Sequence, residues 1–118
     1  MNILIIDAAK EKIFLMIIKS ENNYSISYEN SKTNYERLSA LINEFLDSQN
    51  LKIDDISKLY VNCGPGSFAG IRNSLSIAKA IYVAKKIDYY CFSFRDFNGI
   101  DNNKYENIPK LCDKFDIK

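Results

Sequence analysis

The sequence predicts an α/β fold with a mixed five-stranded sheet in the order β-β-β-α-β-α-β. Three observations predict it: two continuous apolar runs separated by a short polar break, a stretch of period-two alternation behind them, and two later strand-like runs, each preceded by a segment with helical apolar spacing.

Residues Ile3 to Ile6 form the first apolar run and end in Asp7; Ile13 to Ile18 form the second. The Lys10-Glu11-Lys12 break between them is short, which favours an antiparallel hairpin. Tyr24-Ser25-Ile26-Ser27-Tyr28 alternates large and small polar side chains and reads as a half-exposed third strand. Thr33 followed by Glu36 has the spacing of a capping box. Tyr35, Leu38, Ile42 and Phe45 then recur at helical spacing, widened by Leu41 and Leu46, which predicts a helix running to about Gln49. Leu59 to Cys63 is the fourth strand, stopped by Gly64-Pro65-Gly66 because two glycines and a proline cannot continue a ladder. Ser67 caps a second helix, in which Ile71, Leu75, Ala78 and Tyr82 make one apolar stripe and Ile77, Ile81 and Ala84 another. A helix apolar on more than one side needs more than one neighbour. Ile87 to Phe92 is the fifth strand. Behind it, residues 98–118 read as a polar tail with isolated Ile108, Leu111, Phe115 and Ile117 and room for one short helix, so a single domain is expected over residues 1–97. An antiparallel opening followed by two right-handed crossovers is the plan of a ribonuclease-H-like or actin-like half-domain.

Composition narrows the function. A chain of 118 residues, 47% of them apolar, has room for one core but not two. Sixteen basic and fifteen acidic residues nearly cancel, leaving no overall field to hold nucleic acid by its phosphates, so any RNA is expected to be held mainly by another protein. The chain has no histidine, which removes imidazole zinc sites and the Ser-His and Cys-His nucleophile systems. Cys63, Cys91 and Cys112 are widely spaced, with no Cys-x-x-Cys pair, and read as reduced thiols of a cytosolic protein. No apolar stretch approaches the roughly 20 residues of a membrane helix, and the opening run is too short for a signal peptide. The expectation is a soluble, cytoplasmic protein.

The densest motif is Gly64-Pro65-Gly66-Ser67-Phe68-Ala69-Gly70-Ile71-Arg72, between a strand and a helix. Glycines permit the sharp turn, Pro65 stiffens it, and amides at a helix start can accept a phosphate or carboxylate, which makes Gly64, Pro65, Gly66, Ser67 and Gly70 candidate anion ligands. The plainer reading is a turn that reverses the chain and caps the helix. These nine residues resemble the Gly-Pro-Gly-Ser-Phe-Thr-Gly-Val-Arg signature of the TsaB (YeaZ) family. Ile5-Ile6-Asp7, Glu36-Arg37-Leu38 and Ala78-Lys79-Ala80 support the resemblance, which spans residues 3 to 97. Ala69 departs from the signature threonine, and Asn34-Tyr35 stands where a His-Ser pair is common. Family members usually carry a second, similar domain, and the expectation is a shortened form that lacks most of it.

The resemblance implies a fold of the actin and sugar-kinase superfamily and a non-catalytic role. The chain would be a partner of TsaD, which transfers threonylcarbamoyl to adenosine in tRNA, together with the ATPase TsaE. It implies no cofactor of the chain's own, with ATP or ADP at the joint with TsaD, and tRNA reached only through the complex. The first and second helices would form the docking surface for TsaD or for a second copy, with Tyr35, Leu38, Ile42, Phe45, Arg72, Leu75 and Lys79 as its residues. The plainer reading of the charges among them is a solvated face.

The enzyme alternative is a small metal-dependent nuclease or ATPase using Asp7. A phosphate loop there would want a glycine and a hydroxyl, but Ala8 and Ala9 follow. Two-metal hydrolysis needs several converging carboxylates. Glu36 or Glu44 offers one, yet the fourth strand ends in Asn62-Cys63. Asp7 as a strand-end residue bonding hairpin amides is the simpler expectation.

Overall fold

The computed structural model describes residues 1–20, 22–93 and 105–112, and the backbone of 113 and 114. Five strands form one sheet in the order β3-β2-β1-β4-β5: β1 Asn2–Asp7, β2 Lys12–Lys19, β3 Asn22–Glu29, β4 Lys58–Asn62 and β5 Asp88–Phe92. β1 pairs antiparallel with β2 (Ile5 opposite Met16) and parallel with β4 (Ile5 opposite Tyr60), and β4 pairs parallel with β5. This is the predicted mixed sheet. β1 lies at its centre, which is why its run is apolar without alternation: both faces are covered.

On one face, Leu4, Ile6, Ile13, Leu15, Leu59 and Val61 form a core with the helices α2 (Leu38–Ser48) and α3 (Phe68–Lys85). Leu38, Ile42, Phe45 and Leu46 supply α2's share. α3 contributes differently. Its fully buried positions are Gly70, Ser74 and Ala78, one small residue per turn, and the Ser74 hydroxyl donates back to the Gly70 carbonyl at 2.8 Å. Small side chains let the helix axis approach the sheet, so the larger Ile71, Leu75, Ile77 and Ile81 flank the seam, half-buried. Of the two stripes expected from the sequence, Ala78 lies in the contact, the large side chains straddle it, and Tyr82, placed in the same stripe as Ala78, is 45% exposed.

On the other face, Ile5, Met16, Tyr60 and Phe92 meet Ile108 and Cys112 of a fourth helix, α4 (Ile108–Lys114), entered through a 3-10 turn at Tyr105–Asn107. The short helix allowed for in the tail is thus part of the core, with Ile108 fully buried. The domain boundary expected at residue 97, and Phe115 and Ile117, lie outside the described residues.

The first helix starts earlier than expected and is interrupted. Ser31, not Thr33, is the N-cap: its Oγ accepts the Asn34 amide at 3.2 Å, while the Asn34 side chain donates to the Glu29 carbonyl at 2.7 Å and ties the helix to the end of β3. A short α1 (Lys32–Glu36) ends at Arg37, where α2 begins. Ser67 caps α3 as the sequence predicts, its Oγ accepting from the Gly70 amide at 3.3 Å.

Candidate functional site

The chain brings the β1–β2 connection, the glycine loop, α1 and the start of α3 together at the carboxyl ends of β1 and β4. The Ser67 amide donates to the Ala9 carbonyl at 2.8 Å. A methyl group at Gly66 would stand 2.1 Å from the same oxygen, and one at Gly70 would stand 1.9 Å from the Ala8 carbonyl oxygen. Both glycines are required by close backbone approach. Gly64 is required by conformation, with φ at +114°, and its peptide bond to Pro65 is cis. The Tyr35 hydroxyl and the Ser67 hydroxyl share a 2.5 Å hydrogen bond, and Asn73 donates to the Tyr35 carbonyl at 3.4 Å.

This geometry bears on the anion expectation. The Gly64 amide donates to Asn62 Oδ1 at 2.9 Å, that of Ser67 to Ala9, and that of Gly70 to Ser67 Oγ. Three amides of the candidate set are committed within the chain, and the loop works as a joint between helix and hairpin.

Asp7 is fully buried. Its Oδ1 accepts the Ala9 amide at 3.1 Å, the hairpin bond expected of a strand-end aspartate, and its Oδ2 accepts the Tyr105 hydroxyl at 2.6 Å. The Tyr105 ring stacks on Phe14, with centroids 4.2 Å apart, and the Lys10 ammonium lies 5.5 Å from its centre. Burial, reinforced by the bond and charge of Asp7, drives the Tyr105 hydroxyl far above the ordinary tyrosine range, so it stays a donor. Both Asp7 oxygens are engaged inside the protein, Ala8 and Ala9 bring no hydroxyl, and no group of three or more metal-ligating side chains occurs among the described residues. These residues do not fit a nucleotide-bound metal. The adjoining hollow of about 600 Å³, between Lys10, Lys12, Phe14, Ser27, Pro65 and Tyr105, lies outside this lock.

On the helical face, the expected docking residues divide. Leu38, Ile42 and Phe45 are 1%, 2% and 3% exposed, so these three are core residues of the chain itself and not an open docking surface; a one-sided stripe on α2 packs on the sheet. Tyr35 is half-buried and tied to Ser67, and Leu75 is half-buried. Arg72 and Lys79 are exposed. The residue the sequence reading missed is Phe68, 76% exposed at the first position of α3 with the Arg72 guanidinium 5.5 Å above its ring. Phe68, Ile71, Arg72, Leu75 and Lys79 line a hollow of about 240 Å³. A neighbouring groove of about 330 Å³ between α2 and α3 is walled by Ser39, Asn43, Ile77, Ala80 and Ile81. Beneath α3, a hydrogen bond from Cys63 brings the Cys91 thiol down to about 7, with Lys79 adding to the effect against the opposing pull of burial. No helix among the described residues is long and apolar enough to cross a membrane.

Comparison with known proteins places this geometry. Residues 4–93 match the family described as TsaD: tRNA N6-adenosine threonylcarbamoyltransferase. The tRNA threonylcarbamoyladenosine biosynthesis protein TsaB of Buchnera aphidicola subsp. Schizaphis graminum is 28% identical over 91 residues, which are 77% of this chain and 43% of that protein. YeaZ from Pseudomonas aeruginosa superposes with a TM-score of 0.71 at 17% identity, over 78% of this chain and again 43% of its own. The chain therefore spans less than half the length of these relatives. RuvC of T. thermophilus, in complex with a Holliday junction substrate, superposes with a TM-score of 0.57 at 11% identity over 98% of this chain, a likeness of fold alone. With the signature loop seated between β4 and α3 and more than half its residues matched, the chain belongs to the TsaD: tRNA N6-adenosine threonylcarbamoyltransferase family, as a TsaB/YeaZ-like member on a ribonuclease-H-like sheet.

Proposed function

We propose that the chain is a binding subunit without catalysis of its own, which docks on a TsaD protein through the outward side of α3 and the α2–α3 groove and supports formation of N6-threonylcarbamoyladenosine in tRNA. One contrast carries this reading. The residue best placed for chemistry, Asp7, is buried with both oxygens bonded inside the protein, whereas Phe68, the most exposed aromatic side chain among the described residues, stands beside an open apolar hollow on the side of α3 that the described residues leave uncovered. Exposed aromatic and arginine side chains around a hollow are the composition of protein interfaces. TsaE is the further member of the complex, ATP or ADP is held at the joint with TsaD, and tRNA is reached through the partner, in keeping with a net charge of +1.

Reconstitution tests it. Added to TsaD and TsaE, the purified chain should raise threonylcarbamoyl incorporation into tRNA; alone with magnesium it should neither hydrolyse ATP nor cleave RNA. A hydrolytic activity that Asp7→Asn removes would establish the enzyme reading instead.

A further inference from the structure

Resting on that docking reading, we infer that the partner presents to α3 an acidic helix, with an apolar ridge seated in the hollow between Phe68 and Lys79 and carboxylates bonded to Arg72 and Lys79. The charge on α3 has one sign. Between Phe68 and Lys85 the helix carries Arg72, Lys79 and Lys85 and no aspartate or glutamate. Lys85 is bridged to Asp54 at 3.0 Å within the chain. Arg72 and Lys79 are exposed and have no carboxylate within ion-pair distance among the described residues.

These two cations bracket the apolar floor made by Ile71 and Leu75. Seven residues of helix separate them, two turns or about 10 Å, which matches the spacing of acidic residues seven apart on a facing helix. The guanidinium of Arg72 lies against the Phe68 ring, which fixes its plane and leaves its edge for a bidentate bond to a carboxylate. A partner covering this hollow removes both cations from water, and a buried cation without a counter-charge opposes association. A second copy docked α3 on α3 sets cations against cations, so an acidic partner is favoured over self-association through this helix.

The test uses the full chain and TsaD, with affinities measured by titration calorimetry at 50 and 500 mM NaCl. The apolar arm is Phe68→Asp, chosen over a change at half-buried Leu75 because Phe68 is exposed and its replacement leaves the fold intact. The charge arm is the double variant Arg72→Glu with Lys79→Glu, its fold checked by an unchanged melting curve. Wild-type binding should weaken about tenfold between the two salt concentrations, and the charge variant should bind at least about 30-fold more weakly than wild type at low salt. If Phe68→Asp abolishes binding while the charge variant binds as wild type, the acidic partner is refuted and the docking reading stands. If neither change matters, the docking reading itself falls. A wild-type homodimer in light scattering that Phe68→Asp dissociates would make the partner a second copy and also overturn the inference.

Discussion

Replacing Gly70 by alanine would place a methyl carbon 1.9 Å from the Ala8 carbonyl oxygen and 3.0 Å from Tyr35 Cε1, where ordinary contact begins near 3.4 Å. The shortfall against backbone is 1.5 Å, the difference between 3.4 and 1.9 Å, and Ala8 cannot rotate out of the way. The first turn of α3 must therefore retreat from the β1–β2 connection, stretching the 2.8 Å bond from Ser67 to Ala9 that holds the joint. Losing that bond costs about 1 kcal/mol, and relieving the overlap about 1–3 kcal/mol. Alanine regains about 1 kcal/mol as the better helix former. The balance is a destabilisation of about 2 kcal/mol, which in urea lowers the unfolding midpoint by about 1 M for a domain of this size. Circular dichroism during urea titration reads this directly. A midpoint equal to or above wild type would refute the close approach and with it the account of the loop as a joint.

Three further outcomes follow from the same structure. Tyr105→Phe keeps the stack on Phe14 but leaves Asp7 Oδ2 buried without its donor, and should cost about 1–3 kcal/mol in chemical denaturation; a change below about 0.5 kcal/mol would mean the lock is not formed. Lys86 ends α3 in the left-handed region at φ 59°, so Lys86→Gly should stabilise by about 0.5–1 kcal/mol in the same assay, and a loss of stability would contradict that cap. Cys91, with its thiol near 7 against an ordinary 9.0, is about half thiolate at pH 7 where an unperturbed thiol would be about 1%. Iodoacetamide labelling followed by peptide mass mapping should show a rate half-maximal near pH 7 that shifts upward in Cys63→Ala. Because the folded value is depressed, the associated stability is fully present above pH 9 and is lost as pH falls through 7.

The strands and their chain order were legible because each announced itself locally: unbroken apolar residues in the doubly covered β1, alternation in β3, and a glycine-proline stop after β4. The half-exposure read from that alternation was not met, since β3 is an edge strand exposed at every residue but Tyr28. The seam of α3 was not. Of its three buried positions only Ala78 stood in an expected stripe; Gly70 and Ser74 have little apolar surface, so a reading weighted toward large side chains put the rest of the contact on the flanking residues, whereas backbone approach and not side-chain bulk decides this packing. Leu38, Ile42 and Phe45 were assigned outward by family resemblance, although a single stripe on an amphipathic helix is most simply its core face. The Asp7–Tyr105 bond joins residues 98 positions apart, beyond any local pattern. The only signal lay in Tyr105, Ile108 and Cys112, whose spacing of three and four marks one helical face in an otherwise polar segment.

Hydroxyl-radical footprinting of the chain alone and bound to TsaD reads the docking face most directly, because oxidation tracks the exposure of each side chain. Phe68, at 76% exposure, should lose most of its reactivity on complex formation, while Met1 at 73%, at the amino terminus, and Tyr24 at 39%, on the edge strand β3, should keep theirs. Undiminished oxidation of Phe68 in the complex, with protection at Tyr24 instead, would move the interface to the β3 edge and contradict docking through α3.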